Sequence, residues 1–201
     1  RSFAVVTYSL IAVNVLVFLF ELSLSPRALD AFFRLWAVTP AEITFALENH
    51  YYHPRVLATL ITSQFLHGGW AHLLGNMLFL WIFGDNVEDA MGGGRFLVFY
   101  LLGGVLAALA HVYSDPSSQL PLVGASGAIA AVLGAYFVLH PRASVLIVFP
   151  LFLFFPLFEV PAVIVLGFWF VQQLFNGFLS LAVSTVEIGG VAWWAHIGGF
   201  V

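Results

Sequence analysis

Of 201 residues, 62% are hydrophobic and only 8% are charged, against about a quarter charged in ordinary soluble domains. A water-soluble domain of this size cannot bury so much apolar surface, so the bilayer is the expected solvent. The net charge of −4 comes from few groups, with no basic patch for nucleic acid; the absence of cysteine excludes disulfides and thiolate metal sites.

A crossing helix needs about 20 mostly apolar residues. The first such run is Phe3–Phe20. It is longer than the apolar core of a signal peptide, and Glu21 and Pro26 follow it rather than a small-residue cleavage site, so it reads as a span. The chain begins at Arg1 without an initiator methionine, which suggests trimming. A long connection from Glu21 to Gly69 carries Arg27, Asp30, Arg34, Glu42, Glu48 and Arg55. Within it Leu29, Phe32, Phe33 and Trp36 recur at helical spacing, suggesting a short amphipathic helix in the interface; a structured loop fits the same residues. Further spans are expected over about Trp70–Phe83, Phe96–Val112, Leu122–Leu139 and Val160–Val183. A sixth begins near Gly190 and is expected to be cut short at Val201. No fixed-period repeat or linker divides the chain, so residues 1–201 read as one domain.

The segment Val145–Phe158 is apolar but short for a span, and Pro150 and Pro156 interrupt it. It reads as a re-entrant or interfacial connection. The fourth and sixth helices then start from the same membrane face, with Ser126 about one turn into the fourth and His196 about two turns into the sixth. As a true span the segment would place the two residues at depths differing by more than 10 Å, given about 1.5 Å of rise per residue and a core of about 30 Å. Among the short connections, Arg1, Arg95 and Arg142 fall on one side of the expected topology, Asp115 and Glu187 on the other; the long first connection holds the other three arginines and is long enough to dilute the rule. The positive-inside rule places the N-terminus in the cytoplasm and opens the Ser126 end to the outer face.

Three stretches carry the chemistry. Val123-Gly124-Ala125-Ser126-Gly127-Ala128 heads an apolar helix, Trp193-Trp194-Ala195-His196-Ile197-Gly198-Gly199 lies near the end, and His67-Gly68-Gly69-Trp70-Ala71-His72-Leu73-Leu74-Gly75-Asn76 stands upstream. A serine among glycines is ordinarily a helix-packing residue. As a nucleophile it needs a base, and His196 is the strong candidate. No carboxylate is expected at the same depth, since Asp115 and Glu187 lie in loops, so a two-residue arrangement is the simplest. His72 and Asn76 are four apart and share one helix face, where both can donate hydrogen bonds. The backbone N–H of Ser126 can join them, because donors in the first turn of a helix lack internal partners. Gly127, Ala130, Ala131 and Gly134, with Ala195 and Gly199, give the two helices smooth faces for close approach.

In order and content these three stretches resemble the rhomboid family of intramembrane serine proteases, from about Thr62 to the end. The resemblance implies an all-α membrane protein, a bundle of six transmembrane helices, with Ser126 and His196 catalytic and His72 and Asn76 binding the oxyanion. It implies that transmembrane segments of single-span proteins are the substrates, with the lipid bilayer as surroundings and no cofactor. His67 matches a family position for which a structural hydrogen bond is expected, and Glu88 one expected to bind loop backbone where Gly84–Asp89 closes the second helix. Two features depart from the family. Ala58 and Thr59 stand where many members carry Trp-Arg, with Arg55 shifted nearby. Ala130 stands where an aromatic ring often stacks on the histidine, so a residue from the fifth helix or Phe200 is expected to fill that space.

His50, His53, His111 and His140 are expected to be solvated or interfacial. A metal site is not implied: His67 and His72 are poorly spaced for one helix face, and no His-Glu-x-x-His occurs. Val160–Gly189 is the expected gate, with Asn176-Gly177 its weak point. The alternatives are a non-catalytic rhomboid-like protein that escorts membrane clients, and a transporter, which would call for paired broken helices.

Overall fold

The computed structural model describes residues 3–148, 156–182 and 191–201. Among them the chain forms helices α1 (Val5–Ser23), α2 (Pro26–Trp36), α3 (Pro40–Glu48), α4 (Pro54–Thr62), α5 (Trp70–Met91), α6 (Gly93–Ser114) and α7 (Ser126–Leu139). A hairpin of β1 (Ser144–Val148) and β2 (Leu157–Pro161) precedes α8 (Ala162–Ala182) and α9 (Trp193–Phe200). The protein is a helical membrane bundle. α1, α6 and α8 are each long and apolar enough to cross a bilayer, and α7 is a shorter apolar helix.

α2 is the short amphipathic helix expected around Leu29–Trp36, and the first connection holds two further α-helices, α3 and α4, that were not expected. All three open on a proline, Pro26, Pro40 and Pro54, whose missing N–H is no loss at that position. Ser25 caps α2 by accepting from the Ala28 N–H, and the His53 ring caps α4 by accepting from the Arg55 N–H. Arg55 then pairs with Glu42 at 3.2 Å, tying α4 to α3.

α5 corrects the expected end of the second span. It runs through Gly84–Asp89 and stops at Met91, before Gly92 with φ +82°. The buried Glu88 is satisfied by the first turn of α1, not by a loop: it accepts from Val6 N at 3.0 Å, Thr7 N at 2.7 Å and Thr7 Oγ1 at 2.7 Å. Those two amides belong to the donors a helix start leaves unpaired, and the carboxylate complements the positive end of the helix dipole.

The segment expected to be a connection contains a β-hairpin. Its strands pair antiparallel from Ser144 opposite Pro161 to Val148 opposite Leu157. Five residues per strand fall short of the 9–11 or so that a crossing strand needs. The hairpin therefore returns the chain to the face it left, and α7 and α9 start from the same face. Pro150 and the rest of 149–155 lie outside the described residues.

The centre of the bundle is α6, α7 and α9, with α5 on α7, α1 on α5 and α8 against α9. α7 is buried from Gly127 through Gly134. Its backbone touches that of α9 directly: a Cβ on Gly199 would run into the Gly127 carbonyl oxygen, and one on Gly134 into that of Phe200. Lipid-facing residues such as Leu16, Leu106, Phe168 and Phe175 are exposed on the outer helices, α6 contributing to both the centre and the lipid surface.

Candidate active site

The start of α7 is set by backbone geometry upstream. Leu122 pairs with Val38 through two backbone hydrogen bonds, and the Gly124 N–H donates to the Ser63 carbonyl at 2.9 Å. Leu122 is thus held in a bridge and is not the start of the helix, as expected from hydropathy. Gly124 has φ +123°, and a Cβ there would lie 2.5 Å from His72 Nε2. Glycine is needed on both counts. The helix begins only at Ser126, which is its first residue and not one turn inside it. Its N–H therefore has no acceptor in the preceding helix.

α9 begins at Trp193, which puts His196 one turn in, closer to the helix start than expected. Its Nε2 lies 2.9 Å from Ser126 Oγ. On the other side of the ring, Nδ1 lies 2.8 Å from Gln173 Oε1 on α8. Trp169, also on α8, lies beside the imidazole with ring centroids 5.9 Å apart, and Trp193 meets it edge-on at 6.2 Å. A residue of the fifth span thus supplies an aromatic ring beside the imidazole, while Phe200 packs on Phe170 and Trp169.

His72 and Asn76 stand in the first two turns of α5, at the same end of the bundle as Ser126. Asn76 is buried, and its Nδ2 lies 3.0 Å from His67 Nε2. Burial, reinforced by the neighbouring His72, pushes the His67 pKa down to about 4, so the ring is neutral, and because an amide nitrogen only donates, Nε2 is the acceptor of this bond. The His67 backbone N–H is held in turn by the Glu21 carboxylate at the end of α1, 3.3 Å from either oxygen. One amide hydrogen of Asn76 is thereby used. The other remains for the cavity that Asn76 lines.

That cavity has a volume of about 840 Å³ and brings Ser126, His196, His72 and Asn76 together, with Trp169 and His111 in its wall. It reaches the loop residues Gly69, Asp115 and Pro121. His111 and His140 sit at the ends of α6 and α7, half-buried, each with one ring nitrogen shut away. His50 and His53 are exposed as expected. Among the described residues no carboxylate hydrogen-bonds to His196; Glu187 lies outside them.

Residues 54–201 match the family described as the Rhomboid domain. The chain belongs to the rhomboid family. It is 28% identical over 197 residues to the mitochondrial Rhomboid protein 1 of Saccharomyces cerevisiae, covering 96% of this chain and 49% of that one. The Rhomboid protease GluP of Bacillus subtilis is 46% identical over 76 residues, 38% of this chain and 14% of its own length. The mitochondrial RHOMBOID-like protein 12 of Arabidopsis thaliana is 34% identical over 160 residues, 71% of this chain and 43% of its own. The chain spans about half the length of these curated relatives, or less.

Gln173 and Trp169 are the site residues that the motif reading missed. A signal existed in Gln172-Gln173, two adjacent amide side chains inside a largely apolar span, where polar groups are costly and usually functional. α8 also passes through Asn176-Gly177 without a break, and the Gly177 carbonyl accepts from Trp194 Nε1 at 3.1 Å. Gly177 is thus a contact point for α9; residues 183–189 of the expected gate lie outside the described residues.

Proposed function

We propose that this rhomboid domain is an intramembrane serine endopeptidase acting on transmembrane segments of single-span membrane proteins. The observation that carries the reading is the 2.9 Å contact between Ser126 Oγ and His196 Nε2 at the wall of a cavity shared with His72 and Asn76. Ser126 Oγ attacks the scissile carbonyl carbon while its proton passes to His196 Nε2. The oxyanion takes hydrogen bonds from the Ser126 backbone N–H, the free amide hydrogen of Asn76 and the ring of His72. His196 then returns the proton to the leaving amine, and a water drawn through the cavity releases the acyl group from Ser126. Among the short connections, Arg95 before α6 and Arg142 after α7 lie at the end of the bundle away from this cavity, which supports an outer-facing site and a cytoplasmic N-terminus, the long first connection with Arg27, Arg34 and Arg55 being left out of the count.

The test is cleavage of a model transmembrane substrate in detergent by wild type and Ser126→Ala, with fluorophosphonate labelling of both. Turnover and a label confined to wild type support the reading. Equal turnover by the two proteins rejects the nucleophile, and an unlabelled, inactive wild type favours an escort that binds membrane clients without cutting them.

A further inference from the structure

We infer that Gln173 is the positioning residue of His196, fixing the tautomer and the plane of its ring from the neighbouring helix. This rests on the protease reading for its consequence but not for its geometry. A neutral imidazole carries its proton on either nitrogen, and only with Nδ1 protonated does Nε2 offer a lone pair to the Ser126 hydroxyl. Something must choose between the two. Gln173 is 3% exposed, and its amide makes two contacts of opposite sense. Nε2 donates to the Trp169 backbone carbonyl at 3.2 Å, while Oε1 faces His196 Nδ1 at 2.8 Å.

The backbone carbonyl decides the chain of assignments, because it can only accept. It requires the NH2 end of the amide on its side and so turns Oε1 towards the imidazole. An amide oxygen also only accepts, so Nδ1 must carry the proton, and Nε2 is left as the acceptor for Ser126 Oγ–H. One main-chain oxygen on α8 thus sets the polarity of a relay running Trp169 O, Gln173, His196, Ser126. The arrangement does for a buried histidine what a carboxylate does in a three-residue set, without bringing a charge into the membrane interior. The Trp169 ring beside the imidazole stands one helical turn before Gln173 on the same face, so both restraints on the ring belong to α8.

The experiment reads the tautomer directly, from side-chain 15N shifts of histidine-labelled wild type in detergent, with His196→Ala identifying the signal. The expected result is a single tautomer protonated at Nδ1. A His196 ring protonated at Nε2 overturns the inference without any variant at position 173. Gln173→Met keeps the length of the side chain and removes the acceptor. It is expected to mix the tautomers and lower kcat about tenfold to a hundredfold, part of the hundredfold to ten-thousandfold typical of a positioned general base, with KM within about twofold. Gln173→Glu restores an acceptor and is expected to recover most of kcat. Wild-type kcat and an unchanged tautomer in folded Gln173→Met overturn the inference and leave the protease reading standing. A protonated Nδ1 in a wild type that neither cleaves nor labels overturns the protease reading and leaves Gln173's hold on the ring standing.

Discussion

Two buried polar clusters lie at opposite ends of the bundle, and they use burial differently. At one end Glu88 is buried and receives three hydrogen bonds from Val6 and Thr7. At the other, Ser126, His196, His72 and Asn76 border a cavity, and among the described residues no group takes up the Ser126 backbone N–H, the second Asn76 amide hydrogen or the His72 ring. Polar groups are expensive in hydrocarbon wherever they sit, so cost alone does not separate structure from chemistry. Unused hydrogen-bonding capacity beside an opening does. The Glu88 cluster reads as a clasp between α1 and α5, and the other end as a place where something is meant to bind.

The comparison breaks most easily at the base. His196→Ala should lower turnover of a transmembrane substrate by about a thousandfold while leaving the thermal unfolding midpoint in detergent close to wild type. A large loss of stability would make the two ends alike. Asn76→Ala should cost about a hundredfold in kcat, the usual loss for one oxyanion donor, with KM little changed. Glu88→Ala sharpens the contrast from the other side. It strands buried amide donors at about 1–3 kcal/mol, so unfolding should move to lower temperature while kcat per folded molecule stays the same. Arg55→Ala should have the smallest effect: its half-exposed pair with Glu42 is worth less than about 1 kcal/mol, and both midpoint and turnover should stay near wild type.

The residues that make up the Ser126 cavity were largely legible because chemistry-bearing side chains are scarce in an apolar chain, and those that occur stand out by type and order. Gln173 was not found because no motif contains it; its partner stands on another helix, and only packing brings the two together. The span boundaries slipped where hydropathy is blind to hydrogen bonds. Leu122 is apolar yet bonded to Val38 across a bridge, and Asp85 and Glu88 are charged yet remain inside α5. The hairpin was hidden for the opposite reason. Val145, Leu146, Ile147 and Val148 alternate between half-buried and exposed, but both faces are apolar, so the two-residue period leaves no trace in polarity.

The direct touch of α7 and α9 at Gly127 and Gly199 has a consequence for how the protein meets different lipids. With no side chain interposed, the spacing between the two rods is set by main-chain radius and has little room to shrink or adjust. Bilayers of other thickness would be accommodated by tilt and by the outer helices, while Ser126 and His196 travel together as one piece. Reactivity at Ser126 should therefore be nearly indifferent to acyl-chain length, even where the entry of a substrate is not.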